Sequence, residues 1–193
     1  MCPVASKSAH QLAFILDVNF NHPYRQSSID NMVRNGTPLP AKLAGPPLSD
    51  REAIADACYR AFASIDHASE ELLESSATPD IYTDIAFKAC DGYEELKNKV
   101  WINVAERVDT VHYLSNVRVS VDTETTARVT FNAQAVHCPV GKGYEPDSTK
   151  FTTGAFYACD AVKVDDLWKL KTMKSTHIWS TGDPSIMKPP GSE

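Results

Sequence analysis

The apolar positions of the chain change period once. From L-S-D-R-E onward, Ile54, Cys58, Phe62 and Ile65 recur at helical spacing, with Ala57 and Ala61 filling the same stripe. That pattern predicts a helix from about Asp50 to Ile65. Ser49 and Glu52 stand at its start with the spacing of a capping box. A-S-E-E-L-L-E-S predicts a short second helix with Leu72 and Leu73 inward, and T-P-D-I-Y-T-D-I-A-F-K-A reads as a turn and a short strand. Asp91 and Glu94 repeat the capping-box spacing, and Leu96, Val100 and Val104 carry a third helix to about Glu106. After that the period becomes two. Segments 110–121, 126–138, 150–164 and 167–180 are rich in β-branched and aromatic residues with alternation. D-T-E-T and V-D-D-L read as hairpin turns between them, and 139–149 as a longer loop. Helices first, then a meander of long strands, is an α+β arrangement. The expected architecture is a cone-shaped α+β barrel, with three N-terminal helices packed on a curved antiparallel sheet.

Residues 1–47 differ from this. They are polar, poorly periodic and carry Pro3, Pro23, Pro38, Pro40, Pro46 and Pro47. They read as an N-terminal arm with one short helix near Ser28 to Arg34 and an apolar patch at Leu12, Phe14, Ile15 and Leu16. The domain proper is expected over 48–182 and a C-terminal tail over 183–193.

Composition narrows the function. A net charge of −6 repels phosphate backbones, which argues against nucleic acid as a partner. No run approaches the roughly 18 apolar residues of a membrane span, and Leu12 to Leu16 is short for a signal peptide. The cysteines at 2, 58, 90, 138 and 159 are odd in number and scattered, without C-x-x-C. They read as reduced thiols of a cytoplasmic protein rather than a disulfide framework or zinc ribbon. G-x-G-x-x-G, P-loop and G-x-S-x-G motifs are absent, so no nucleotide cofactor and no serine nucleophile are expected. His112 and His137 have no third ligand at short spacing, so no metal is expected.

A small molecule in the mouth of the cone is the remaining partner. Tyr59, Phe62 and Asp66 share one side of the first helix, and Asp66 ends its apolar stripe. Asp66 is either a desolvated carboxylate facing the pocket or a solvated helix end. His137 shares a strand face with Val129, Phe131, Ala133 and Ala135, so it points inward, as a core histidine or a pocket one. On strict alternation His112 shares a face with Leu114, Asn116 and Arg118, and Val117, Val119 and Val121 take the opposite, exposed face. His177, in register with Met173 and Trp179, is a third candidate histidine.

The stretches S-D-R-E-A-I-A-D-A-C-Y-R-A-F-A-S-I-D, T-V-H-Y-L-S-N-V-R-V and W-K-L-K resemble the SnoaL-like branch of the nuclear transport factor 2-like superfamily, nearest scytalone dehydratase and bile-acid dehydratase. The resemblance spans about residues 47 to 182. It implies that Asp66 orients His112 as general base and that His137 matches a second histidine. Where the family often has tyrosines, this chain has Phe62 and Ile85, with Tyr82 nearby; where bile-acid dehydratase has an arginine, His177 is the nearest residue. The implied function is a cofactor-free isomerase, cyclase or dehydratase of secondary metabolism acting on a hydrophobic oxygenated substrate. Tyr59, Phe62, Tyr82, Phe87, Trp101, Tyr113, Phe131, Phe156 and His177 are expected against that substrate. The superfamily also implies a homo-oligomer, dimer or trimer. The alternative it leaves open is a non-catalytic small-molecule-binding or dimerisation module, with Val117, Val119 and Val121 as an interface.

Overall fold

Ser49 starts the first helix as its spacing with Glu52 predicts. In the computed structural model, which describes residues 40–86 and 88–188, the Ser49 side chain accepts from the Glu52 N–H, and the Glu52 carboxylate accepts from the Ser49 N–H at 2.8 Å. The helix, α1 (Asp50–Asp66), buries Ile54, Ala57, Cys58, Ala61 and Phe62. Most of the expected arm (1–39) and the end of the expected tail (189–193) lie outside the described residues, as does Phe87.

The second helix, α2 (Glu70–Ser76), is capped by Ser69 and buries Leu72 and Leu73. The third helical segment is composite: α3 (Tyr93–Leu96), a π-helical turn at Lys97–Trp101, and α4 (Ile102–Ala105). The second capping box does not form. Gly92, at φ 95°, takes the N-cap position without a side chain. The Asp91 N–H instead donates to the Glu95 carboxylate at 3.1 Å.

Six strands follow the order β2-β1-β6-β5-β4-β3. They are β1 (Ala77–Ile85), β2 (Lys88–Asp91), β3 (Val108–Val121), β4 (Thr126–Pro139), β5 (Phe151–Val164) and β6 (Leu167–Gly182). The single strand expected near residue 80 is therefore a hairpin, with Ile85 opposite Lys88. The sheet is mixed rather than purely antiparallel, because β1 runs parallel to β6. It does not close: β2 and β3 are its edges. V-D-D-L is the tight turn expected, with Asp165 and Asp166 both at positive φ, the geometry of a type I′ hairpin.

Helix α1 is clamped to the sheet by buried Arg60. Its guanidinium pairs with Asp56 at 2.7 Å and donates to Ser75 Oγ at 2.9 Å and to the Trp168 carbonyl at 2.8 Å. A buried guanidinium with its donors satisfied holds geometry well, because any displacement leaves a charge uncompensated. The core beneath is Ile54, Ile81, Val129, Trp168 and Leu170. No helix among the described residues is long and apolar enough to cross a membrane.

One local feature decides which residues face the helices. β3 carries a bulge between Ser115 and Arg118, where two residues oppose one on β4. Asn116 sits there at φ 54°, a left-handed conformation that Asn tolerates better than most residues. The extra residue reverses the alternation. His112 and Leu114 before the bulge, and Val117, Val119 and Val121 after it, all turn to the helix side, and those valines pack on the core. Strict alternation had put His112 with Asn116 and Arg118 and left the valines exposed; the bulge overturns both.

Candidate active site

Asp66 is the last residue of α1, and its carboxylate reaches across to β3. One oxygen lies 2.6 Å from His112 Nδ1, and the other accepts the His112 backbone N–H at 2.9 Å. Both side chains are largely shielded, at 15% and 9% exposure. The solvated-helix-end reading of Asp66 is thus not the one adopted. With the carboxylate ionised, Nδ1 carries the proton and Nε2 is left basic.

His137 is buried two positions along the neighbouring strand. His112 pairs with Ala135 and Thr110 with His137, so the histidines are diagonal neighbours on one face. Their rings stand edge to face at 5.8 Å. Burial, and next the adjacent His112, push the His137 pKa down to about 4. It is therefore a neutral imidazole near neutral pH. Its Nδ1 is buried and has no hydrogen-bond partner among the described residues.

Both histidines line a cavity of about 690 Å³ between the helices and the sheet, a size that suits a drug-sized molecule. Its hollow comes from small residues: Ala133, Ala135 and Ala155 line it where larger side chains would fill it. Phe62, Trp101 and His177 line it as expected. Phe62 lies 5.1 Å from the His112 ring, and the Trp101 indole N–H donates to Ser64 Oγ at 3.1 Å. Asp66 does not line the cavity; it sits behind His112.

Other expected wall residues lie elsewhere. Phe131 is buried one layer back, stacked on Tyr157 at 5.0 Å. Tyr59 follows Cys58 by one residue, about 100° further round the helix, and is exposed. Tyr113 and Phe156 are exposed on the opposite face of the sheet. Tyr82 is exposed beside Lys174, whose Nζ is 5.7 Å from its ring. Phe87 is outside the described residues.

Tyr157 lines the cavity and was not expected there. Burial pushes its phenol pKa well up, so it stays protonated. Alternation could have found it: Ala155, Tyr157, Cys159 and Ala161 share the inward face of β5, and Phe156 takes the outward one. The start of the expected tail also belongs to the site, since Met187 and Lys188 border the cavity. Among the described residues no three His, Cys, Asp or Glu side chains come together in an arrangement able to hold a metal ion.

Residues 46–174 match the SnoaL-like domain. The chain is 39% identical over 152 residues to terrestric acid biosynthesis cluster protein E of Penicillium crustosum, covering 77% of this chain and 95% of that protein. Among solved structures, a scytalone dehydratase-like protein of Novosphingobium aromaticivorans superposes with a TM-score of 0.58 at 22% identity, covering 67% of this chain and 85% of that one. A hexachlorocyclohexane dehydrochlorinase of Novosphingobium barchaimii superposes with a TM-score of 0.56 at 21% identity, covering 72% and 94%.

Proposed function

Since the chain belongs to the SnoaL-like family, we propose that it is a cofactor-free acid–base enzyme of secondary metabolism. It acts on a hydrophobic oxygenated small molecule as an isomerase, cyclase or dehydratase. The observation that carries this reading is His112 on the wall of an apolar cavity, held from behind by Asp66. The relative from a biosynthesis cluster supports the metabolic setting. The dehydratase-like and dehydrochlorinase neighbours support chemistry in which a proton leaves carbon.

In this reading His112 Nε2 takes a proton from a carbon beside a carbonyl, and the imidazolium that forms is stabilised by Asp66. Negative charge grows on the carbonyl oxygen. Neutral His137 and the protonated Tyr157 phenol are the neighbouring groups able to donate hydrogen bonds to it. The proton then returns from His112 to a different carbon, or to a departing hydroxyl that leaves as water, or the enolate carbon adds to an electrophilic carbonyl carbon of the same molecule and the alkoxide formed there takes the proton back from His112. Exposed Val111, Tyr113 and Phe156 on the outer sheet face support a homo-oligomer built through that face.

The test is mass spectrometry of a metabolite extract from the source organism, incubated with the protein or its His112→Ala variant. A product lighter by one water identifies a dehydratase, and a new species of unchanged mass an isomerase or cyclase. Either is expected to be about 10²–10⁴-fold slower in the variant. Equal turnover by a folded His112→Ala protein contradicts the assignment. If no species changes, the non-catalytic binding module becomes the better reading.

A further inference from the structure

The exposed rim of the cavity is cationic. Lys88 comes from the β1–β2 hairpin, Lys99 from the π-helical turn, and Lys188 from the residue after a short 3-10 turn, Pro184–Met187; all three are exposed and border the cavity. Among the described residues no Asp or Glu lines it. This is notable in a chain with 25 acidic against 19 Lys and Arg residues. Lys99 is already paired with Glu95 at 2.7 Å. Lys88 and Lys188 form no ion pair among the described residues, and the Lys188 carbonyl accepts from Arg107, which anchors that segment.

A lone surface lysine is ordinarily a solvated charge. Three from separate elements around one apolar opening, with no carboxylate in the lining, make a local positive field on an otherwise acidic protein. Elsewhere in the lining, His137 Nδ1 is buried and unpartnered among the described residues, so a polar contact there is left for a ligand to supply. The cavity thus combines exposed positive charges, apolar walls and one buried hydrogen-bonding demand.

We propose that the substrate is a hydrophobic carboxylic acid whose carboxylate is held at the rim by Lys88 and Lys188, with Lys99 alongside. This orients the apolar body inward and presents the reacting carbon to His112. The proposal rests on the acid–base reading for the use made of the site, but carboxylate recognition is measurable without turnover.

The probes are 1-pyrenebutyrate and 1-pyrenebutanamide, which differ at the carboxyl end alone, titrated against the full chain by fluorescence anisotropy. The acid is expected to bind about tenfold more tightly than the amide at low salt. Lys88→Gln with Lys188→Gln is expected to abolish that preference without changing the affinity for the amide. About 0.5 M NaCl is expected to weaken the acid alone, since exposed charges are screened. Ala135→Trp, on the cavity wall opposite His112 in register, is expected to exclude both probes. Equal affinities in the unaltered protein, a preference that survives the double lysine variant, or acid binding that survives Ala135→Trp overturns the proposal. His112→Gln is expected to retain the preference, so failure of the base assignment leaves this result standing, and the reverse holds too.

Discussion

Asp66 holds His112 at two points, its ring Nδ1 at 2.6 Å and its backbone N–H at 2.9 Å. One carboxylate therefore sets both the ring rotation of the histidine and the position of the strand that carries it. Two charge-assisted bonds in a shielded site are stronger and more directional than a surface pair. The end of α1 and the middle of an edge strand are thereby locked into one unit.

Asp66→Asn keeps the shape of that contact and removes its charge. Turnover is expected to fall about 10²–10⁴-fold while the fold persists. Nitrogen-15 NMR of the imidazole ring reads the cause directly. Nδ1–H is expected for His112 in the unaltered protein and a mixed or Nε2–H population in the variant. An unchanged tautomer alongside lost turnover would show that Asp66 does not act by positioning His112.

His137 makes stability depend on pH. Its folded pKa of about 4 lies below the ordinary value near 6.5, so the unfolded chain binds the proton first as pH falls. The native state is expected to be unaffected by this group above about pH 6.5 and to lose up to about 3 kcal/mol as pH drops toward 4. Urea unfolding across that window, in the protein and in His137→Gln, measures it. The variant is expected to show a flatter profile between pH 5 and 6.5. Parallel profiles would mean that His137 is not held neutral by burial.

The bulge at Asn116 gives a backbone prediction. Asn116→Gly is expected to retain the fold and turnover, since glycine adopts positive φ freely. Asn116→Val is expected to cost about 1–2 kcal/mol and to reduce turnover as well, because losing the bulge moves His112 out of phase with the valines beyond it. Denaturant midpoints and turnover measured together check this. A stable, active Asn116→Val protein would show that the register does not depend on the bulge.

Much of this arrangement was legible in the sequence, for reasons that are local. Ser49 and Glu52 mark a helix start within four residues, and the stripe from Ile54 to Ile65 identifies its buried face. Long alternating runs give four of the strands. The parallel pairing of β1 with β6 joins segments some ninety residues apart and has no local signal. β2 is too short for its alternation to register. Gly92 defeats the second capping box by adopting a φ that a side-chain cap does not need. At the site, Asp66 and His112 were named through the family resemblance, and His137 through strand phase as well. Tyr113 and Phe156 were assigned as aromatics near the right place, and each lies one strand position out of phase with the cavity, while Tyr59 lies on the exposed side of its helix. Tyr157 shows the converse, since strict alternation would have selected it over Phe156. For His112 strict alternation fails, because a bulge moves the phase without leaving a trace in hydrophobicity.

The cavity depends on small side chains as much as on its histidines. Ala135→Trp is expected to abolish turnover with little loss of thermal stability, because it fills existing volume rather than displacing packed atoms. Differential scanning calorimetry beside the turnover assay checks this. Turnover maintained in a folded Ala135→Trp protein would place the chemistry outside the cavity.

The most direct test of His112 as the base is proton exchange at carbon. The protein and its His112→Gln variant would be incubated with the source metabolite extract in deuterium oxide, and deuterium gain at carbon followed by mass spectrometry. The expected result is incorporation into a substrate or product with the unaltered protein, and at least about 10²-fold slower incorporation with a folded variant. Incorporation at the same rate in both would show that another group removes the proton.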